Sequence, residues 1–163
     1  MLSNAVNRDI AVAGGTRRPP LLYLACLLLG FALDRLLPLP LTHPELTAVG
    51  WRAGGALFAI GIAIMAAGIR NFSRADTPVP SNQPVRALVT TGIHGWSRNP
   101  IYVGMLLVYA GIGIAARSPW ILILLLPLFI ILGYGVVARE EAYLEGRLGE
   151  TYRDYKAHVR RWL

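Results

Sequence analysis

Only one cysteine occurs in the 163 residues, Cys26, and it lies inside an apolar block, so neither an intrachain disulfide nor a cysteine zinc site can be built. The thiol reads as a small buried hydrophobe. No second histidine or cysteine stands at ligand spacing from His94, which predicts no metal site. Charge is scarce as well: 15% of residues are charged against 55% hydrophobic, and the mean hydropathy is positive. The apolar residues gather into blocks that approach the roughly 20 needed to cross a bilayer, which predicts a membrane protein and not a soluble domain. The charge that is present sums to +7, but the arginines flank apolar blocks instead of interleaving with aromatics on a soluble face. That distribution excludes nucleic acid and points to anionic lipid headgroups as the partner.

In chain order, residues 1–20 are polar and arginine-bearing, interrupted by Gly14-Gly15 and Pro19-Pro20, and read as a flexible cytoplasmic leader. With no small-x-small cleavage site after Arg17-Arg18, they do not read as a signal peptide. A four-helix transmembrane bundle is expected over residues 21–138. Its spans run from about Leu21 to Leu37, Trp51 to Ile69, Pro100 to Ala116 and Pro119 to Ala138. Pro38 and Pro40 stop the first span just after Asp34-Arg35, read as an interfacial or intramembrane pair. Gly50, Gly54, Gly61 and Gly68 give the second span the small residues that allow close helix packing in lipid. The loop 70–99 carries the turn signals Thr77-Pro78-Val79-Pro80 and Gln83-Pro84, and its length predicts a functional segment. Within it, Leu88-Val89-Thr90-Thr91-Gly92 reads as a short extended piece that delivers His94, Trp96 and Arg98 to the membrane surface.

Lysine and arginine number three in the leader, four from Arg70 to Arg98 and six from Arg139 onward, against Arg35, Arg52 and Arg117 on the other face. The positive-inside rule therefore predicts cytoplasmic termini and a cytoplasmic Arg98 loop. The tail 139–163 differs in kind. Leu144, Leu148, Tyr152, Tyr155, Val159 and Trp162 recur at three- and four-residue spacing among charged residues, which predicts an amphipathic helix, or a pair broken at Gly149. The fold class is thus all-α integral membrane, with about four transmembrane helices plus C-terminal amphipathic helices.

One run stands out as the candidate site: Arg98-Asn99-Pro100-Ile101-Tyr102-Val103-Gly104. Pro100 suits the first turn of a helix and pushes Asn99 out of the helical region. The free N–H groups of that turn, beside Arg98, would hold a carboxylate or phosphate. Gly104 would let a ligand or another helix approach. On the same side, Glu140-Glu141 leave the fourth span at a depth where carboxylates cost free energy unless paired, with Arg98 or Arg139 as the obvious partner. The set suits a zwitterionic ligand with one cationic centre, or equally a lipid headgroup.

The residues from Ala67 to Trp162 resemble the isoprenylcysteine carboxyl methyltransferases, integral membrane enzymes related to the phospholipid N-methyltransferases. The likeness rests on Asn71-Phe72-Ser73-Arg74-Ala75-Asp76-Thr77-Pro78-Val79-Pro80, Leu88 to Gly92, the Arg98 to Gly104 run, Glu140-Glu141-Ala142-Tyr143-Leu144, Leu148 to Tyr155 and Val159-Arg160-Arg161. It implies an S-adenosyl-L-methionine site framed by Leu88, Val89, His94, Arg98, Asn99, Pro100, Tyr102, Gly104 and Glu140, and closed by the C-terminal segment. His94 stands where the family has a tyrosine. Arg98, Glu140 and Glu141 are implied as the catalytic set, with the glutamates near the sulfonium or the incoming nucleophile. The implied acceptor is a lipophilic small molecule or lipidated substrate. Asn99, where eukaryotic enzymes tend to carry histidine, is similar to bacterial members and implies a bacterial inner membrane.

Methyl transfer is an in-line displacement, so positioning and water exclusion can supply most of the catalysis. A carboxylate acceptor needs no base, whereas an amine or thiol needs a group such as Glu140 or Glu141 to take its proton. Two other readings stand beside this one: a sterol-type reductase using a nicotinamide cofactor, which the four short spans disfavour, and a non-catalytic lipid-binding protein. The oligomeric state stays open.

Overall fold

Prolines 19 and 20 open the first helix, α1 (Pro19–Leu36), because a missing N–H costs nothing in a first turn. The computed structural model describes residues 19–39, 46–77 and 88–163. Most of the expected leader lies outside the described residues, and its last two residues belong to α1. The helices α2 (Leu46–Arg74), α3 (Pro100–Ala115) and α4 (Pro119–Leu132) follow, and α4 runs on through a π turn (Gly133–Val137) into α5 (Ala138–Leu148); α6 (Glu150–His158) comes last. Among the described residues there is no strand.

Three helical stretches are long and apolar enough to cross a membrane: Pro19–Leu36, Val49–Arg74 and Pro119–Leu148. The architecture is that of an all-α membrane protein. Their large apolar side chains face outward, with Leu28 at 61% and Leu126 at 65% exposure. Such exposure is unfavourable in water and ordinary against lipid tails. At 16 residues α3 is shorter, and it is enclosed between α2 and α4.

The chain runs up, down, up and down, with α2 packed on α3, α3 on α4 and α4 on α1. The seam between α2 and α3 is built on backbone. A Cβ on Gly61 would lie 2.6 Å from the Gly104 carbonyl oxygen, and one on Gly54 would lie 2.6 Å from that of Gly111. Only glycine permits this approach, and it replaces the hydrophobic drive that lipid removes. The expected packing role of the second span's glycines holds. On the other side of α3, Tyr23, Tyr109, Ile121, Leu128, Leu132 and Val136 form the buried core shared by α1, α3 and α4.

Three boundaries differ from expectation. The second helix continues through Arg70-Asn71-Phe72-Ser73-Arg74, because nothing in that run breaks a helix until Ala75-Asp76, where Asp76 takes a positive φ and Thr77 donates its N–H to the Phe72 carbonyl. The loop expected from residue 70 therefore begins after Arg74. Residues 88–90 have no regular structure, and the chain turns through a 3-10 segment, Gly92–Gly95. The fourth span and the first part of the amphipathic tail are one rod from Pro119 to Leu148, since the π turn widens the hydrogen-bond ladder without ending it; the break comes at Gly149, with φ +55, as its position predicted.

Candidate active site

Pro100 is the first residue of α3, and Asn99 precedes it in a non-helical conformation. The Asn99 side chain does not cap the helix. Its Nδ2 donates instead to the carbonyl oxygen of Arg161 at 3.1 Å, which Ser97 Oγ also approaches at 3.4 Å, while the Arg98 N–H donates to the Arg160 carbonyl at 3.0 Å. The segment after α6 has thus folded back across the start of α3, held through its backbone carbonyls. Trp162 completes the strap, its ring 4.9 Å from Phe129 and against Gly133 of the π turn.

Beneath the strap lies a buried charge cluster. Arg98 Nη2 is 2.9 Å from Glu141 Oε1, and the side chains are 8% and 6% exposed. Arg161 donates to both oxygens of the same carboxylate, at 3.1 and 2.6 Å. Arg98 also donates to the Lys156 carbonyl at 3.3 Å, yet its Nε is buried without a partner among the described residues. Two guanidinium groups on one carboxylate leave the cluster net positive. Arg139 is exposed and takes no part, so of the two partners expected for the carboxylates it is Arg98 that pairs.

Glu140 faces elsewhere. Successive helical residues point about 100° apart, so Glu140 turns toward α3, where Tyr102 Oη donates to its Oε1 at 2.8 Å. No cation pairs with Glu140 among the described residues. Arg98 and Tyr102 are four residues apart, with Tyr102 one turn along the helix that Arg98 precedes, and they engage consecutive glutamates. The two carboxylates therefore have separate chemistry: Glu141 is neutralised inside a clamp, and Glu140 keeps a carboxylate oxygen for other work.

The remaining predicted residues fall in other places. His94 is 3% exposed, with its ring against Phe72 at a centroid distance of 4.8 Å, its Nδ1 3.4 Å from Asn71 Nδ2, and its carbonyl accepting from Tyr155 Oη at 2.6 Å. It is turned into the protein rather than delivered to the surface, and burial lowers its pKa below the ordinary 6.5. The same burial pushes the Tyr155 hydroxyl up to about 12. Gly92 must be glycine twice over: φ is +58, and a Cβ would sit 2.6 Å from Asn71 Nδ2. Val89 is buried and Leu88 half-buried in the loop before it. Gly104 does not offer its face to a ligand, because α2 already fills it, with Met65 Cγ 2.5 Å from the Cβ position.

Sequence reasoning missed Arg161 as a partner of Glu141, Tyr102 as that of Glu140, and Asn71 and Tyr155 as anchors of the loop. The Arg160-Arg161 pair at the end of the amphipathic pattern was the available signal for the first.

Residues 50–151 match the family model described as phospholipid methyltransferase. That is more than half of the chain, and it contains the Arg98 run, Tyr102 and both glutamates. The chain belongs to the phospholipid methyltransferase family. A curated relative from Haemophilus influenzae, described only as an uncharacterized protein, is 63% identical over 27 residues, which cover 17% of this chain and 43% of that protein's length. No solved structure matches. The family match ends at residue 151, so the strap that closes over the phospholipid methyltransferase motif lies beyond it.

Proposed function

We propose that the protein is an integral membrane methyltransferase that uses S-adenosyl-L-methionine to methylate a lipophilic acceptor, at a site on the cytoplasmic face of a bacterial inner membrane. The single observation that carries this reading is the juxtaposition at the start of α3. A buried arginine with an unpartnered donor, Arg98 Nε, lies one turn from Tyr102, which holds a carboxylate, Glu140, that has no cation partner among the described residues. A ligand with a carboxylate at one end and a positive sulfur at the other meets both needs. S-adenosyl-L-methionine supplies an electrophilic methyl group on such a sulfur. The family match to the phospholipid methyltransferases supports the same chemistry.

In this reading each residue has one task. Arg98, with the free N–H groups of the first turn of α3, receives the carboxylate. Glu141 and Arg161 hold the Arg98 guanidinium in place. Tyr102 fixes the orientation of Glu140 by donating to one oxygen, and the carboxylate offsets positive charge at the reacting end. For an amine acceptor, Glu140 also takes the departing proton; a carboxylate acceptor does without that step. The strap with Trp162 excludes water above the site. The acceptor approaches sideways through the membrane, where its apolar part stays in lipid. The excess of Lys and Arg on the Arg98 side supports the cytoplasmic assignment.

The test is calorimetric titration of the detergent-purified protein with S-adenosyl-L-methionine and S-adenosylhomocysteine. Saturable binding to the wild type and none to Arg98→Ala is the expected result. A folded wild-type protein that binds neither compound would overturn the reading.

A further inference from the structure

At the end of the bundle opposite Arg98, a cleft of about 570 Å3 opens between the end of α1 and the turn joining α3 to α4. Its volume lies within the roughly 300–1,000 Å3 of pockets that hold small ligands. Apolar walls come from Phe31, Leu39 and Pro119, and three charged side chains join them: Asp34, Arg35 and Arg117. Asp34 and Arg35 make no ion pair with each other, contrary to the expected interfacial pair.

Two further features mark the cleft as built. Trp120 Nε1 donates to the Leu37 carbonyl at 2.7 Å and fastens the end of α1 to the start of α4. Arg117 holds a positive φ of 51, a conformation that glycine or asparagine would adopt at lower cost.

We infer that this cleft binds the head group of a membrane phospholipid that carries a primary ammonium, with Arg35 and Arg117 on the phosphate and Asp34 on the ammonium. Two cations and one anion complement a head group of one phosphate and one amine. A guanidinium has five N–H donors, so either arginine can serve a phosphate while keeping another contact. The cleft lies at the ends of apolar helices, the level at which phospholipid head groups reside, and its apolar walls suit the glycerol and first acyl carbons. The bound lipid is not the methyl acceptor, since the 16 residues of α3 separate the two sites by about 24 Å. The inference therefore stands apart from the proposed activity.

Native mass spectrometry of the protein in maltoside detergent tests it, with dioleoyl-phosphatidylethanolamine, dioleoyl-phosphatidylglycerol, dioleoylglycerol and inorganic phosphate as probes. The expected result is one tightly held phosphatidylethanolamine, weakened about tenfold in R35Q/R117Q and unchanged in Arg98→Ala. In Asp34→Asn the preference for phosphatidylethanolamine over phosphatidylglycerol should narrow. Retained affinity in R35Q/R117Q would overturn the site. Equal binding of dioleoylglycerol would remove the phosphate from the recognition, and competition by inorganic phosphate at equal concentration would replace the lipid with the free anion. R35K/R117K, which keeps both charges, should retain binding and shows that loss in the glutamine variant is not a folding defect.

Discussion

The seam between α2 and α3 and the mouth at the start of α3 use the same helix for opposite purposes. The seam is glycine against carbonyl oxygen, without a charge, and its specificity lies in the absence of side chains. The mouth is arginine, glutamate and tyrosine, joined by directional bonds to a strap that comes from the far end of the chain. Lipid offers no hydrophobic drive for helix association, so the apolar region must rely on close fit. At the boundary, buried charge must be matched group by group or it costs several kcal/mol. A single helix serves both because its Gly104 and Gly111 face α2 while its Tyr102, and Arg98 just before it, reach toward α5.

The comparison breaks most sharply at Glu140. Replacing it with glutamine keeps an acceptor for Tyr102, so the melting temperature should hold, while methyl transfer to an amine falls about 100- to 10,000-fold. Turnover assays on amine and carboxylate acceptors check this, and an undiminished amine rate would remove Glu140 from proton transfer. Its neighbour should behave in the opposite sense. Glu141→Ala leaves the buried Arg98 without its carboxylate and should lower stability by about 3–5 kcal/mol, read from detergent melting or denaturation curves. In the seam, Gly61→Ala sets a methyl group against the Gly104 carbonyl oxygen and should cost about 1–3 kcal/mol. Whatever activity it loses should return in proportion to the folded fraction on cooling, because no mouth residue is touched. Tyr155→Phe removes one hydroxyl from the His94 carbonyl and should cost about 1 kcal/mol.

The smallest effect is one of pH. His94 is held neutral by burial, so its folded pKa lies below the unfolded value of 6.5. Below that value the unfolded chain binds a proton that the folded one refuses, so stability is complete above it, declines as pH falls through 6.5, and levels off below the lowered folded pKa. Melting temperatures between pH 7.5 and 5 should show this decline in the wild type, and a shallower one in His94→Gln.

Much of this contrast could be read from the residues, and the failures have physical causes. Pro100 announced the start of α3 because its fixed φ and missing N–H suit a first turn and push Asn99 out of the helical region. The pairing of a glutamate with Arg98 followed from the cost of a lone buried charge. What could not be read was which glutamate, because the π turn before them changes where each points and leaves no spacing signature in Gly133-Tyr134-Gly135-Val136-Val137. Gly104 was ambiguous for a different reason: a missing Cβ admits a ligand and a helix equally well, and only the position of α2 decides. His94 looked like a surface group in a polar loop, yet Asn71, Phe72 and Tyr155 enclose it, three residues distant in sequence that no local pattern links. The fold-back of Arg160-Arg161-Trp162 is held in part by main-chain carbonyls, which any sequence possesses, beside the side-chain contacts of Arg161 and Trp162.

The π turn has one more consequence. The apolar helix before it is written for lipid, and the charged helix after it for a water-facing surface, and a continuous α-helix would oblige both to share one angular phase. An inserted residue frees them. Removing one residue from the turn would restore the ordinary ladder with α5 in nearly the same angular setting, because the i→i+5 bond absorbs one residue more than an α turn, whereas straightening the turn at unchanged length would rotate everything beyond it by about 100° and take both glutamates off their partners. Within this rod, the angular setting of the chemistry depends on whether the π turn forms, independently of the membrane anchor and without changing a single charged residue.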